Sequence, residues 1–266
     1  MADCRRVLVT GAGRAVGRAT AVELASRGHF VVATARDPSL LDDLEVGRRL
    51  ALDVTDANSV ISVHDEVGEL DAIVNNAAIN PHGPLEDFPL DRLVGAIDTN
   101  AVGALRVVQP VLGAWRSRGS GVIVNVSSVQ GRVGTPLEGA YAASKFALEA
   151  ISEVLHYELG HFGIRVVVVE PGYVAPGMKA GADHAGPPEY DELRRQWAGT
   201  SATLTAGEGR TPPEVVARVI ADALEDPGTP LRVEVGPDAQ MVLAARRDLD
   251  DKAFEAAMRG VLGLTW

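Results

Sequence analysis

The sequence is poor in cysteine, in long apolar runs and in basic residues, and each shortage excludes a class of protein. Its single cysteine, Cys4, cannot form an internal disulfide, which favours a reducing compartment. No apolar run approaches the roughly 20 residues that span a bilayer, and residues 1–6 are too short and polar for a signal peptide, so a cytoplasmic location without a membrane partner is expected. The formal net charge of −11 argues against nucleic acid as a partner, and the six scattered histidines predict no metal site.

What the sequence does contain is an alternation of short apolar segments and helical patterns. The segments are apolar throughout and rich in β-branched residues, which is typical of strands buried on both faces of a parallel sheet. We therefore predict an α/β protein whose 266 residues form a single domain around a doubly wound parallel sheet. The predicted strands are 6–10, 30–35, 50–54, 71–75, 122–126, 164–170 and 231–235.

The alternation is interrupted between residues 175 and 211, where Gly, Pro and Thr dominate. A long irregular insertion is usually functional, so we predict a substrate-binding lid here, with one helical patch at 189–197. The lid and the loops at the carboxyl ends of the strands supply the candidate pocket residues. These are Ile79, Asn80, His82, Val129, Gln130, Tyr173, Met178, Tyr190 and Trp197. The lid aromatics would equally well anchor the segment to the core.

Tyr141 and Lys145 lie four residues apart in a helix-forming segment, which places both side chains on one helix face. A tyrosine has an ordinary pKa of about 10, and a neighbouring ammonium favours its anion and lowers that value. The pair is therefore a candidate general acid–base. Ser128, just after the 122–126 strand, offers a hydroxyl to the oxygen that gains or loses the proton. Taken alone, the same spacing also fits an ordinary surface pair.

A glycine-rich turn at residues 10–17 follows the first strand and opens a helix. Glycine lets backbone amides approach a pyrophosphate, and a helix N-terminus favours its charge, so the turn predicts a dinucleotide site. An acid after the second strand would hold the adenosine ribose, whereas a basic residue accommodates a 2′-phosphate. Because Arg36 stands there and Arg14 lies in the turn, we predict NADP(H). In the competing interpretation, Asp37 binds the ribose and both arginines are solvated.

These motifs, taken together, resemble the short-chain dehydrogenase/reductase family over residues 7–236. The T-G-x-x-x-G-x-G pattern lies at 10–17, the N-N-A-G turn at 75–78 and the P-G turn at 171–172. The resemblance implies a Rossmann-type fold and a set of cofactor-binding residues. That set is Gly11, Gly13, Arg14, Ala15, Val16, Gly17, Arg36, Asp53, Val54, Asn75, Ala77, Tyr141, Lys145, Pro171, Gly172 and Val174.

The same resemblance implies four catalytic residues. Tyr141 would be the general acid–base, and Ser128, rather than its neighbour Ser127, would polarise the substrate oxygen. Lys145 would hold the nicotinamide ribose and lower the pKa of the tyrosine. Asn100 would position a water molecule for proton relay.

Three positions depart from the family pattern. Ala15 replaces the middle glycine of the turn, so that a methyl group would point toward the cofactor. Ala78 replaces the last glycine of N-N-A-G, a change that is tolerated if the backbone there is not left-handed. Pro176 stands where the family often has a threonine that contacts the nicotinamide. These changes would loosen cofactor binding, but none removes a catalytic group.

The expected function is that of an NADPH-dependent carbonyl reductase or alcohol dehydrogenase acting on a small-molecule hydrophobic ketone or alcohol. The alternative is a non-catalytic NADP(H)-binding regulator on the same fold. An epimerase or dehydratase that uses the same Tyr-Lys pair also stays open, whereas an α/β hydrolase would need a G-x-S-x-G elbow that the sequence lacks. The resemblance further implies a homodimer or homotetramer through the 102–115 helix and the Tyr141 helix, although burial within one subunit explains their apolar stripes equally well.

Overall fold

The computed structural model describes residues 4–175, 184–203 and 210–266, and its centre is a seven-stranded sheet in which all neighbouring strands are parallel. The strands are β1 (Arg6–Val9), β2 (Phe30–Ala35), β3 (Arg48–Ala51), β4 (Ala72–Asn75), β5 (Gly121–Val126), β6 (Ile164–Pro171) and β7 (Arg232–Val235). Their spatial order is 3-2-1-4-5-6-7, so the order reverses between β1 and β4. The predicted single-domain, doubly wound α/β fold is confirmed.

Helices cover both faces of the sheet. They are α1 (Ala15–Ser26), α2 (Ala57–Val67), α3 (Leu90–Ile97), α4 (Gly103–Arg118), α5 (Gly139–Gly160), α6 (Asp191–Thr203), α7 (Pro213–Glu225), α8 (Pro237–Asp248) and α9 (Asp251–Leu262). Helices α1 and α7 pack on one face, and α2, α4 and α5 on the other. Within the described ranges, no helix is long and apolar enough to cross a membrane.

The strands are apolar throughout because both of their faces are buried. Successive side chains of a strand point to opposite faces, so Val7 and Val9 of β1 join a core with Leu24 of α1. Between them, Leu8 joins a second core with Trp115 of α4. The sheet is thereby fixed between two helical layers, and its carboxyl edge is the place where polar side chains can gather.

A π-helical turn, Asp98–Val102, joins α3 to α4. Such turns insert an extra residue and occur frequently at functional sites. Here the turn holds the buried Asn100. Its Oδ1 accepts from the Ile79 N–H at 2.8 Å, and its Nδ2 donates to the Ile79 carbonyl and to Ser144 Oγ, both at 2.8 Å. Asn100 thus ties α5 to the loop that follows β4.

The face predicted to pair with a second subunit is partly apolar. Leu148 and Leu155 of α5 are buried within the subunit, whereas Val154 on the same helix is 52% exposed and Val102 at the start of α4 is 40% exposed. Phe146 is exposed as well. Part of the stripe is therefore core, and the subunit pairing stays a prediction.

Candidate active site

A cleft of about 710 Å³ lies at the carboxyl ends of the strands, where the strand order reverses. This is the place where doubly wound sheets bind their ligands. The cleft runs from the turn after β1 to the helices α8 and α9, and most of the predicted site residues line it. These are Gly11, Gly13, Arg14, Ala15, Val16, Arg36, Asp53, Val54, Ala77, Ser128, Tyr141, Lys145, Pro171, Gly172 and Val174.

Two predicted asparagines lie behind the cleft wall. Asn75 is buried, and its Nδ2 donates to Asn125 Oδ1 at 2.9 Å and to the Ala104 carbonyl at 3.2 Å. The side-chain amide of Asn75 thus connects β4 to β5 and α4. Asn100 holds the loop after β4 in the same way, and its part in a proton relay stays a prediction.

The glycine-rich turn is built so closely that side chains are excluded at Gly11 and Gly17. Gly11 has a φ of +67°, and a Cβ there would lie 2.8 Å from Ala77 Cα. A Cβ on Gly17 would lie 2.3 Å from both Asn76 Nδ2 and the Gly11 carbonyl oxygen, so Gly17 packs α1 onto the turn. Asn76, which the sequence analysis did not single out, lines the cleft and donates to the carbonyls of Thr10 and Gly11 at 3.0 and 3.1 Å. At these two glycines the turn leaves room only for backbone.

Ala15, the first departure from the family pattern, has a φ of +43°. An L-residue in the left-handed region costs about 1–2 kcal/mol relative to the right-handed helix, and glycine avoids this cost. The backbone has kept the conformation of a glycine turn, and Ala15 lines the cleft as predicted. Ala78, in contrast, is not among the described residues with positive φ, which meets the condition set for that substitution.

We expect Ala15→Gly to stabilise the protein by about 0.5–1 kcal/mol, because relief of the left-handed strain exceeds the added entropy of glycine in the unfolded chain. Ala19→Gly, in the interior of the same helix, is the matched control and should destabilise by about 1 kcal/mol. Urea unfolding of both variants measures the difference. A loss of stability in Ala15→Gly equal to that in Ala19→Gly would contradict the strain argument.

At the adenosine end, Arg14 and Arg36 are both exposed and line the cleft. Neither forms an ion pair within the part of the chain that the structure describes. Asp37 Oδ1 accepts from the Ser39 N–H at 3.1 Å and from Ser39 Oγ at 2.7 Å, so this carboxylate caps a short 3₁₀ turn. The Asp37 carboxylate, which would compete for the ribose, is therefore hydrogen-bonded within its own turn. Arg14 and Arg36 line the cleft without such a partner in the described residues.

Asp53, predicted to meet the adenine, also lines the cleft. Its Oδ1 accepts from the Thr55 N–H at 2.9 Å and from Thr55 Oγ1 at 2.6 Å. The Thr55 hydroxyl, with a smaller contribution from the positive charge of Arg36, lowers the pKa of the Asp53 carboxyl. Asp53 is thus held as an anion and a hydrogen-bond acceptor at this end.

Ser128, Tyr141 and Lys145 converge at the middle of the cleft. Ser128 lies close enough to Tyr141 for its hydroxyl to lower the pKa of the phenol, and its Oγ accepts from the Gln130 N–H at 3.2 Å. The buried Ser127 hydroxyl has no hydrogen-bond partner among the described residues. Lys145 Nζ donates to the Val126 carbonyl at 2.7 Å and lies 5.6 Å from the centroid of the Tyr141 ring. The strand end of β5 and the first turns of α5 therefore bring the three groups together.

Burial dominates the electrostatics of this trio. It raises the pKa of Tyr141, the Ser128 hydroxyl acts in the opposite direction, and the charge of Glu138 raises the pKa further. Burial also lowers the pKa of Lys145 to about 8, against an opposing effect of Glu149. The pKa of Tyr141 is thus shifted upward rather than downward, because the loss of hydration of the phenolate dominates, and a lowering of this pKa by Lys145 stays a prediction. The phenol is a neutral proton donor.

The far end of the cleft contains residues that the sequence analysis missed. Glu138 lies three positions before Tyr141, and Asp238 follows the end of β7, so both could have been found from their places at strand and helix ends. Asp238 Oδ2 accepts from the Tyr173 N–H at 2.6 Å. Met258 and Leu262 of α9 also line the cleft, and no local signal in the sequence places them there.

The predicted pocket residues divide into two groups. Six of them line the cleft: Ile79, Asn80, His82, Val129, Gln130 and Tyr173. Tyr190 and Trp197 do not line it; the Tyr190 hydroxyl donates to Glu86 Oε2 at 2.8 Å and its ring stacks on Trp266. Met178 and Pro176 lie outside the described residues, as does part of the predicted 175–211 lid.

Comparisons with known proteins agree with the family resemblance seen in the sequence motifs. A family model for short chain dehydrogenases matches residues 5–185. Retinol dehydrogenase 8 from Bos taurus is 36% identical over 256 residues, which cover 87% of this chain and 82% of that protein. The crystal structure of a short-chain dehydrogenase from Streptomyces avermitilis is 32% identical with a TM-score of 0.82, covering 97% of this chain and 99% of that one. A metagenomic short-chain oxidoreductase in complex with NADP is 25% identical with a TM-score of 0.69, covering 87% and 96%.

The chain belongs to the short-chain dehydrogenase/reductase family. It is accordingly an NAD(P)-dependent oxidoreductase that acts on CH–OH groups or on the carbonyl groups derived from them.

Proposed function

We propose that the protein is an NADPH-dependent carbonyl reductase that acts on a ketone with an apolar body through Ser128, Tyr141 and Lys145, and that the same site oxidises the corresponding alcohol. The observation that carries the proposal is the convergence of these three groups in a cleft with a neutral, buried phenol at its centre. A neutral phenol is the form that donates a proton to a carbonyl oxygen.

The residues at the other end of the cleft fit NADP(H). The turn at Gly11 and Gly17 is too tight for any Cβ, which brings backbone amides and the N-terminus of α1 close to a pyrophosphate. Arg14 and Arg36 offer two forked donors for a 2′-phosphate, and Asp53 is an acceptor for the adenine amine. The bound cofactor supplies the hydride.

Each catalytic side chain has a task in the reduction. Tyr141 donates its phenolic proton to the carbonyl oxygen of the substrate, and the Ser128 hydroxyl hydrogen-bonds the same oxygen as negative charge develops on it. The Lys145 ammonium stabilises the phenolate that remains once the proton has left. Because these groups are already in place and largely withdrawn from water, little reorganisation is needed during the reaction.

A panel of ketones and aldehydes tests the proposal when each compound is incubated with purified protein and either NADPH or NADH. We expect NADPH oxidation with at least one apolar ketone, with NADH at least about tenfold poorer in kcat/KM, since each hydrogen bond to a charged phosphate contributes about 1.5–3 kcal/mol. Absorbance at the reduced nicotinamide band follows the reaction. Tight NADPH binding without turnover of any compound would favour the non-catalytic regulator instead.

A further inference from the structure

The cleft beyond the catalytic tyrosine has a polar wall centred on the carboxylate of Glu138, which is only 6% exposed. His82 Nε2 lies 3.2 Å from Glu138 Oε1, and Thr135 Oγ1 donates to Oε2 at 3.0 Å. The side-chain amides of Asn80 and Gln130 also donate to this carboxylate. A buried carboxylate requires such donors, because without them its desolvation is costly. The wall therefore presents the Glu138 carboxylate to the cavity, whereas the Asp238 carboxylate, which also lines it, is engaged by the Tyr173 N–H at 2.6 Å.

Another part of the same lining is apolar. Val133 and Val242 are 3% and 8% exposed and belong to one small core, against which Val129 and Met258 pack. All four residues line the cavity, and Leu262 at the end of α9 extends the surface. A ligand in this part of the cleft meets both apolar side chains and an acceptor of hydrogen bonds.

We propose, on the basis of the carbonyl-reductase function proposed above, that the substrate is an amphipathic ketone with a hydrogen-bond donor, an ammonium or a hydroxyl, on the carbon next to its carbonyl, and that Glu138 binds this donor. The apolar chain of the substrate then lies along Val133, Val242 and Met258. Glu138 is thus a specificity-determining residue of the substrate site.

The chemistry of the carboxylate selects the donor. An ionised carboxylate only accepts hydrogen bonds, so a ketone with an acceptor or an anion at this place is disfavoured. Hydrogen bonds from charged donors are roughly twice as strong as neutral ones, so an ammonium replaces a neutral amide such as that of Gln130 with a net gain. Glu138 lies directly before the first residue of α5, three positions before Tyr141, and both residues line the same cleft. A donor beside the carbonyl that Tyr141 protonates would therefore lie on the side of the cleft that Glu138 lines.

Four ketones with the same alkyl chain test the proposal at pH 7, differing only in the group on the carbon beside the carbonyl: hydrogen, hydroxyl, ammonium or carboxymethyl. For the wild-type protein, we expect kcat/KM to be about tenfold or more higher for the ammonium compound than for the unsubstituted one, intermediate for the hydroxyl compound and lowest for the carboxymethyl compound. Glu138→Gln should lose the ammonium preference but keep that for hydroxyl, because a glutamine oxygen still accepts. Glu158→Gln, an exposed position on α5, is the matched control.

Calorimetric binding of the matched amino alcohol supplies a readout that does not depend on turnover, and Glu138→Gln should weaken it about tenfold or more. Equal kcat/KM across the four ketones, or an unchanged order in Glu138→Gln, overturns the inference and leaves the carbonyl-reductase proposal intact. Failure of all four ketones to oxidise NADPH overturns the proposed function, and calorimetry then still decides whether Glu138 binds the donor. If Glu138→Gln does not fold, the wild-type ranking alone supports or refutes the assignment.

Discussion

Tyr141→Phe is expected to reduce turnover by about 10²- to 10⁴-fold while leaving the dissociation constant of NADPH within about threefold of wild type, the range that loss of a general acid produces. Removal of the hydroxyl deletes the proton donor, whereas the ring still fills its buried place on α5. Steady-state rates with the best ketone from the panel, together with fluorescence titration of NADPH, measure the two quantities separately.

The control is Tyr157→Phe, on the same helix but 74% exposed and outside the cleft. It removes the same hydroxyl from α5 and should leave turnover unchanged. Thermal melting of both variants checks that the fold is kept. We expect both melting temperatures to stay close to that of the wild type, because a phenylalanine in a buried tyrosine site changes packing little. Turnover by Tyr141→Phe at the wild-type rate would contradict the assignment of Tyr141 as the general acid–base.

The parts of this architecture that follow from the sequence are the local ones. Six of the seven strands lie within about a residue of their predicted bounds, because strands buried on both faces are marked by continuous apolar runs. The exception is β3, predicted at 50–54 and found at Arg48–Ala51. This edge strand pairs only with β2 and begins with two exposed arginines. The prediction placed the strand too late in the chain because Leu52 and Val54, which lie beyond its end, are buried apolar residues.

The features that could not be predicted from the sequence depend on parts of the chain that are far apart in sequence. The direction of the Tyr141 pKa shift follows from burial, which is a property of the assembled fold rather than of a four-residue spacing. The cavity wall formed by Met258 comes from a helix more than a hundred residues beyond the tyrosine. The π-helical turn at Asp98–Val102 has no sequence signature of its own, although it decides where Asn100 points.

Cofactor preference is expected to depend on Arg36. Arg36→Ala should raise the dissociation constant of NADPH by about 10- to 100-fold, since a charged hydrogen bond contributes about 1.5–3 kcal/mol, and should leave that of NADH within about twofold. The reason is that the guanidinium lies at the end of β2, where only the 2′-phosphate distinguishes the two cofactors. Calorimetric titration at fixed ionic strength gives both constants.

Two further variants separate this explanation from its rival. Arg48→Ala removes a neighbouring arginine that pairs with Glu66 at 3.0 Å outside the cleft, and it should change neither constant. Asp37→Asn tests the interpretation in which Asp37 holds the ribose: a selective loss of NADH binding in this variant, together with an unaffected NADPH constant in Arg36→Ala, would reverse the cofactor assignment. Because Asp37 already caps the turn at Ser39, we expect its substitution to lower stability slightly and to leave the ratio of the two affinities unchanged.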